Sequence, residues 1–158
     1  MTNNKELIEL GLKYITGKGG VEKDVEKGLE YLETAKKKGS QRACYHLGKY
    51  YIVHKDYEQA LGYFEDGKDI KSRLCTRELA EMYRYGLGIP KNLENAINLY
   101  KKSAEFGCTD SLIYAASLIQ DLPESSKIKK SEALELLNKA VEANDKHSPI
   151  ANRELGKI

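Results

Sequence analysis

Long apolar runs are missing from this sequence, and so is an excess of either charge. No uninterrupted apolar stretch approaches the roughly 18–20 residues that a membrane-spanning helix requires. The opening residues Met1-Thr2-Asn3-Asn4-Lys5-Glu6-Leu7 pass directly into helical pattern without the apolar segment of a signal peptide. A cytoplasmic location is therefore expected. Among 158 residues, 26 basic side chains stand against 24 acidic ones, and a net charge of +2 points to neither nucleic acid nor an anionic membrane as a partner. Cysteine is sparse. Cys44, Cys75 and Cys108 lie 31 and 33 residues apart, an odd number without a Cys-x-x-Cys pair, so they outline neither a disulfide framework nor a zinc site. They read as packed thiols.

Catalytic signals are equally thin. His46, His54 and His147 have no second ligand or nucleophile at a fixed spacing, and no carboxylate sits in an apolar context that argues for a raised pKa. The glycines of Gly17-Lys18-Gly19-Gly20 follow a helical pattern, whereas a phosphate-binding loop needs Gly-Lys-Ser/Thr after a strand. No cofactor, metal or enzymatic activity is expected.

What the sequence does contain is a repeat, clearest in residues 79–100. An apolar residue followed by a small one recurs as Leu10-Gly11, Leu47-Gly48, Leu79-Ala80, Ala115-Ala116 and Leu155-Gly156, at intervals of 37, 32, 36 and 40 residues. Such a period is the signature of stacked helical hairpins. Four residues before the last four pairs comes a small residue (Ala43, Cys75, Ser111, Ala151), and three after the small member of the first four comes Tyr14, Tyr51, Tyr83 or Ile119. At 100° per residue these positions share one side of a helix. Glycines then break the chain at Gly17, Gly19, Gly86 and Gly88, and Asp24 and Asn92 are placed to cap a second helix. That second helix turns Gly28, Tyr31, Leu32 and Ala35 inward in the first copy. Its counterparts are Ala60, Tyr63, Phe64 and Gly67; Ala96, Leu99, Tyr100 and Ser103; and Ala133, Leu136, Leu137 and Ala140.

The expected fold is all-α: one domain, 1–158, built as a right-handed α-solenoid of about four helix-turn-helix units over 3–39, 40–71, 72–107 and 108–146. A capping helix over 149–157 would start at Ser148 and Pro149. Copy two lacks the Gly-x-Gly loop, and Lys71 stands where Gly39 and Gly107 close other copies. Copy four carries Pro123 in a long connector, after which Ser126 or Ser131 starts the next helix.

In a solenoid of this kind the first helix of each hairpin lines the concave side. Opposite its packing stripe, copy two presents Arg42, Tyr45, Lys49 and Val53, and copy three Leu74, Arg77, Glu81 and Tyr85. Copy four presents Asp110, Ile113, Ser117 and Asp121, and copy one Lys5, Ile8, Leu12 and Thr16. Arg42, Tyr45, Lys49, Arg77, Glu81, Tyr85, Ile113 and Ser117 are the candidate contacts for another protein or peptide, Tyr and Arg being the types that most often anchor interfaces.

These residues resemble the Sel1-like repeat, a relative of the tetratricopeptide repeat. The third copy supplies Leu79, Ala80, Tyr83, Gly86, Gly88, Ile89, Asn92, Ala96, Leu99, Tyr100, Ala104 and Gly107 of its pattern. The first copy supplies Leu10, Gly11, Tyr14, Gly17, Gly19, Val21, Asp24, Lys27 and Gly39. Tyr or Leu stands where many members of that family have Trp. The resemblance implies a non-enzymatic adaptor or scaffold that binds proteins. An immunity or inhibitor protein neutralising a secreted toxin is the alternative, and a hydrolase of the cysteine-rich branch a third. The paired cysteines of that branch are absent here.

Overall fold

The computed structural model describes residues 2–143 and Arg153, within which the chain forms eight α-helices. Apart from Arg153, the expected capping helix over 149–157, with Ala151 and the Leu155-Gly156 pair, and likewise His147, lies outside the described residues. The chain divides into two compact units, Met1–Cys75 and Thr76–Ile158.

The first unit holds α1 (Asn4–Thr16), α2 (Val25–Lys37), α3 (Gln41–Val53) and α4 (Tyr57–Asp69). Polar side chains start each helix. Asn3 forms a reciprocal capping box with Glu6, and Asp24, Ser40 and Asp56 accept from backbone N–H groups three residues on. Small residues set the helix spacing inside each hairpin. A Cβ on Gly11 would stand 2.8 Å from the Gly28 carbonyl oxygen, one on Gly28 2.7 Å from the Gly11 carbonyl oxygen, and one on Gly48 2.3 Å from the Phe64 ring. One turn further on, tyrosines close the gap: Tyr14 stacks on Tyr31 at 5.7 Å and Tyr51 on Tyr63 at 5.4 Å. Leu7, Ile8, Leu32, Ala35, Ala43 and Leu47 make the buried cluster of this unit.

The second unit holds most of α5 (Arg73–Tyr85), with α6 (Leu93–Glu105), α7 (Ser111–Gln120) and α8 (Ser131–Ala143). Ala80 meets Ala96, Ile97 and Tyr100 in a cluster that continues through α7 to Leu136, Leu137 and Ala140. Ser131 is the first residue of α8. Ser126 stays in the connector, donating to the Glu94 carboxylate and accepting the Ile128 N–H.

One hydrogen bond recurs whatever the length of the hairpin loop. The N–H of the capping residue returns to the tyrosine carbonyl of the preceding helix at 2.9 Å: Asp24 to Tyr14, Asp56 to Tyr51 and Asn92 to Tyr83. In the first and third hairpins, Gly17, Gly19, Gly86 and Gly88 take positive φ to make that return, and in the short second hairpin Lys55 does so at φ 59°.

Candidate functional site

The A-helix positions opposite the packing stripe differ in how far they open to solvent. In the first unit Arg42 is exposed, and Tyr45 and Lys49 are half-buried on successive turns of α3. Tyr45 meets His46 edge-on at 5.5 Å. Burial, with Arg42 as a lesser cause, holds the His46 imidazole below its ordinary 6.5, so the ring is neutral at pH 7.

In the second unit Tyr85 is 60% exposed at the end of α5, with the Arg84 guanidinium 5.1 Å from its ring centroid. Ser117 is exposed on α7, and Arg77 is half-buried with its guanidinium 3.8 Å from the Glu78 carboxylate. Glu81 accepts a hydrogen bond from the hydroxyl of Tyr100, whose ring is fully buried, so it has a structural task within this unit.

One candidate contact, Ile113, and one further position of the open register, Ile8, are corrected by the geometry. Ile113 is only 8% exposed and belongs to the core of its unit, and Ile8 is buried in the other. Both occupy the register position that holds Tyr45 and Arg77 elsewhere. For Ile113 the cause is the width of the buried arc. An A helix flanked by two neighbours buries more than one stripe, as α7 does between α6 and α8 by burying Ser111, Ile113, Ala115, Ala116, Leu118 and Ile119. At the edge of that arc an isoleucine turns in, whereas the longer polar or aromatic side chains stay half out.

A groove that the register argument marked only in part opens in the first unit. Its apolar walls are Leu12 and Ile15 of α1, Val25 of α2, and Tyr50 and Val53 of α3, enclosing about 330 Å³. Val53, 75% exposed, is the most open large apolar residue among those described. His54 donates Nδ1–H to the Tyr50 carbonyl at 2.8 Å and lies against the Tyr50 ring at 4.1 Å. Leu12, Lys49 and Val53 were legible from the repeat register. Ile15, Val25 and Tyr50 were not, since they belong neither to the packing stripe nor to the register opposite it.

The three cysteines are free thiols, Cys44 and Cys75 buried and Cys108 half-buried. Among the described residues no helix is long and apolar enough to cross a membrane.

Comparison with known proteins places this geometry. The family model for the Sel1 repeat matches residues 7–40, 41–65, 74–107 and 126–145. The crystal structure of a Sel1 repeat protein from Oxalobacter formigenes superposes with a TM-score of 0.72 at 19% identity, over 90% of this chain and 59% of that one. A protective antigen present in uropathogenic Escherichia coli strains, displaying an SLR fold, superposes with a TM-score of 0.70 at 22% identity, over 89% of this chain and 30% of that one. The chain thus spans less than two thirds of either structure's length, and at these identities the likeness is one of fold.

Proposed function

Because the chain belongs to the Sel1 repeat family, whose fold is typical of protein–protein interaction modules, we propose that it is a non-enzymatic adaptor or scaffold that holds another protein or peptide. The contacts we assign are the open A-helix positions of each unit: Arg42, Tyr45 and Lys49 in the first, and Arg77, Glu81, Tyr85 and Ser117 in the second. The observation that carries the reading is that Val53 and Tyr85, at the ends of two A helices, remain 75% and 60% exposed. Val53 lies with other apolar side chains around the groove of the first unit, and tyrosine is a residue type that anchors interfaces. The balanced charge favours a protein partner over nucleic acid or membrane, and a cytoplasmic location belongs to the same reading.

The test is capture of partners from the native cell by the full chain and by Tyr45→Ala/Tyr85→Ala, with mass spectrometry as the readout. The double variant should keep its helical circular dichroism and lose the partner. Undiminished capture would refute the assignment.

A further inference from the structure

Two thiols meet over one glycine in the first unit. A Cβ on Gly67 of α4 would stand 2.5 Å from the Cβ of Cys75 and 3.3 Å from the Cβ of Cys44 on α3. Both cysteine Cβ atoms lie so close to that one point that they are at most about 6 Å apart, and a shift of about 2 Å or less brings them to the roughly 4 Å that a disulfide spans. The Cys75 Sγ already leans on α3, 3.9 Å from the carbonyl oxygen of Gln41, less than one turn before Cys44. The repeat itself asks for neither residue: in the same register Cys44 corresponds to Thr76 and Leu112, and Cys75 to Ala43 and Ser111. Since the two stand one register position apart on consecutive A helices, no Cys-x-x-Cys motif marks them in the sequence. Both side chains are buried, at 1% and 0% exposure, and burial holds the Cys44 thiol above its ordinary 9.0. Thiol–disulfide exchange proceeds through the thiolate. In the closed fold Cys44 is protonated and both sulfurs are shielded, so exchange belongs to the open joint, during folding or local opening.

We infer that Cys44 and Cys75 are a latent disulfide, closed when the chain folds in the presence of oxidised glutathione and left as two thiols in a reducing compartment. One cysteine thiolate attacks the glutathione disulfide, which leaves glutathione on that cysteine and releases one glutathione thiolate. The second cysteine thiolate attacks the protein sulfur of this mixed disulfide and releases the other. Two cysteine S–H bonds and one glutathione S–S bond are thus replaced by one protein S–S bond and two glutathione S–H bonds, the cysteines losing the two electrons that glutathione gains. The bridge closes a covalent ring around the second hairpin, from Cys44 in α3 through all of α4, and restricts the unfolded chain. Burial then shields the bond from reductants, so the state acquired on folding persists. The inference is independent of what the chain binds.

Refolding the full chain from urea into a mixture of oxidised and reduced glutathione, with reduced glutathione alone as the control, tests it. Alkylation and tryptic mapping by mass spectrometry read the outcome, because trypsin places Cys44 in 43–49 and Cys75 in 74–77. The expected product is the 43–49 peptide joined to 74–77, with no bridge to Cys108. The bridged chain should unfold about 5 °C or more above the control, and dithiothreitol added in urea before refolding should abolish the difference. Cys108→Ser should keep both the joined peptide and the shift, and Cys44→Ser should lose both. Alkylation of all three cysteines in the wild-type chain, glutathione held on Cys44 or Cys75 without a bridge, or a bridge to Cys108 would overturn the inference. So would a joined peptide with an equal or lower midpoint, since the native joint would then not accommodate the bond.

Discussion

A Cβ placed on Gly67 would stand 2.3 Å from the Sγ of Cys75, so glycine in α4 and cysteine at the start of α5 share one van der Waals space. The same crossing, eight residues apart, is filled by Ala35 with Ala43, both fully buried, and by Ser103 with Ser111, whose hydroxyls hydrogen-bond at 3.2 Å. Each crossing joins the second helix of one hairpin to the first helix of the next. Gly67→Ala should therefore overpack the joint and cost about 1–3 kcal/mol, in spite of alanine's better helix propensity. Cys75→Ala should cost about 1 kcal/mol through the space it leaves. The double variant removes the Sγ but keeps the residue-75 Cβ, 2.5 Å from the added one, so it should recover only part of the loss, a coupling of up to about 1 kcal/mol in a urea-unfolding cycle. Additive losses would show that the two residues do not share the space.

Lys71 takes φ 60° where Gly39 and Gly107 take 79° and 105°, yet it makes the same closing hydrogen bonds: its N–H donates to the Lys68 carbonyl and the Ser72 N–H to the Gly67 carbonyl. A left-handed backbone costs a residue with a Cβ roughly 1–2 kcal/mol. Lys71→Gly should relieve part of this, offset by the greater freedom of glycine in the unfolded chain, for a net gain of up to about 1 kcal/mol. A higher urea midpoint with an unchanged slope is the expected result.

His46 gives the first unit a sensitivity to acid. Burial and Arg42 lower its pKa below 6.5, so the unfolded chain binds the proton more readily than the folded one. Stability should be fully expressed above pH 6.5 and decline as the pH falls through the folded value. Urea midpoints measured down a pH series should show the decline, and His46→Gln should flatten it.

At alkaline pH the sign reverses and the tyrosines act. Burial, reinforced by hydrogen bonds to Glu33 and Glu81, raises the pKa of Tyr63 and of Tyr100 above 10.0. Above pH 10 the unfolded chain loses protons that these hydroxyls retain in the folded one, so stability should fall as the pH climbs. Tyr63→Phe with Tyr100→Phe should reduce that slope. Tyr100→Phe alone should cost about 1–2 kcal/mol at neutral pH for the lost bond to a charged acceptor.

The hairpins were legible because their determinants are local or periodic. Gly11 and Gly28 mark a close crossing, Asp24 and Asn92 mark caps, and Gly17 and Gly86 mark positive φ, each readable from residue type and spacing alone. Leu47, expected inside, is fully buried. The burial of Ile113 was not legible, because a single helical wheel carries no term for a second packing neighbour. Nor was the α8 start, since Ser126 and Ser131 satisfy the same capping rule and only the bond from Ser126 to Glu94 separates them. The groove escaped for a related reason: three helices and a loop build it, and no single stretch of sequence carries its shape.

The most direct measurement is site-specific photo-crosslinking of the full chain in its native cell, with the reactive group placed in turn at Tyr45, Val53 and Tyr85 on A helices and at Asn98 and Leu134, exposed positions on B helices. Adducts to a discrete partner protein at 45, 53 and 85, and none at 98 and 134, are the expected result. A partner that crosslinks at 98 and 134 while 45, 53 and 85 stay unmodified would contradict the assignment of recognition to the A-helix faces.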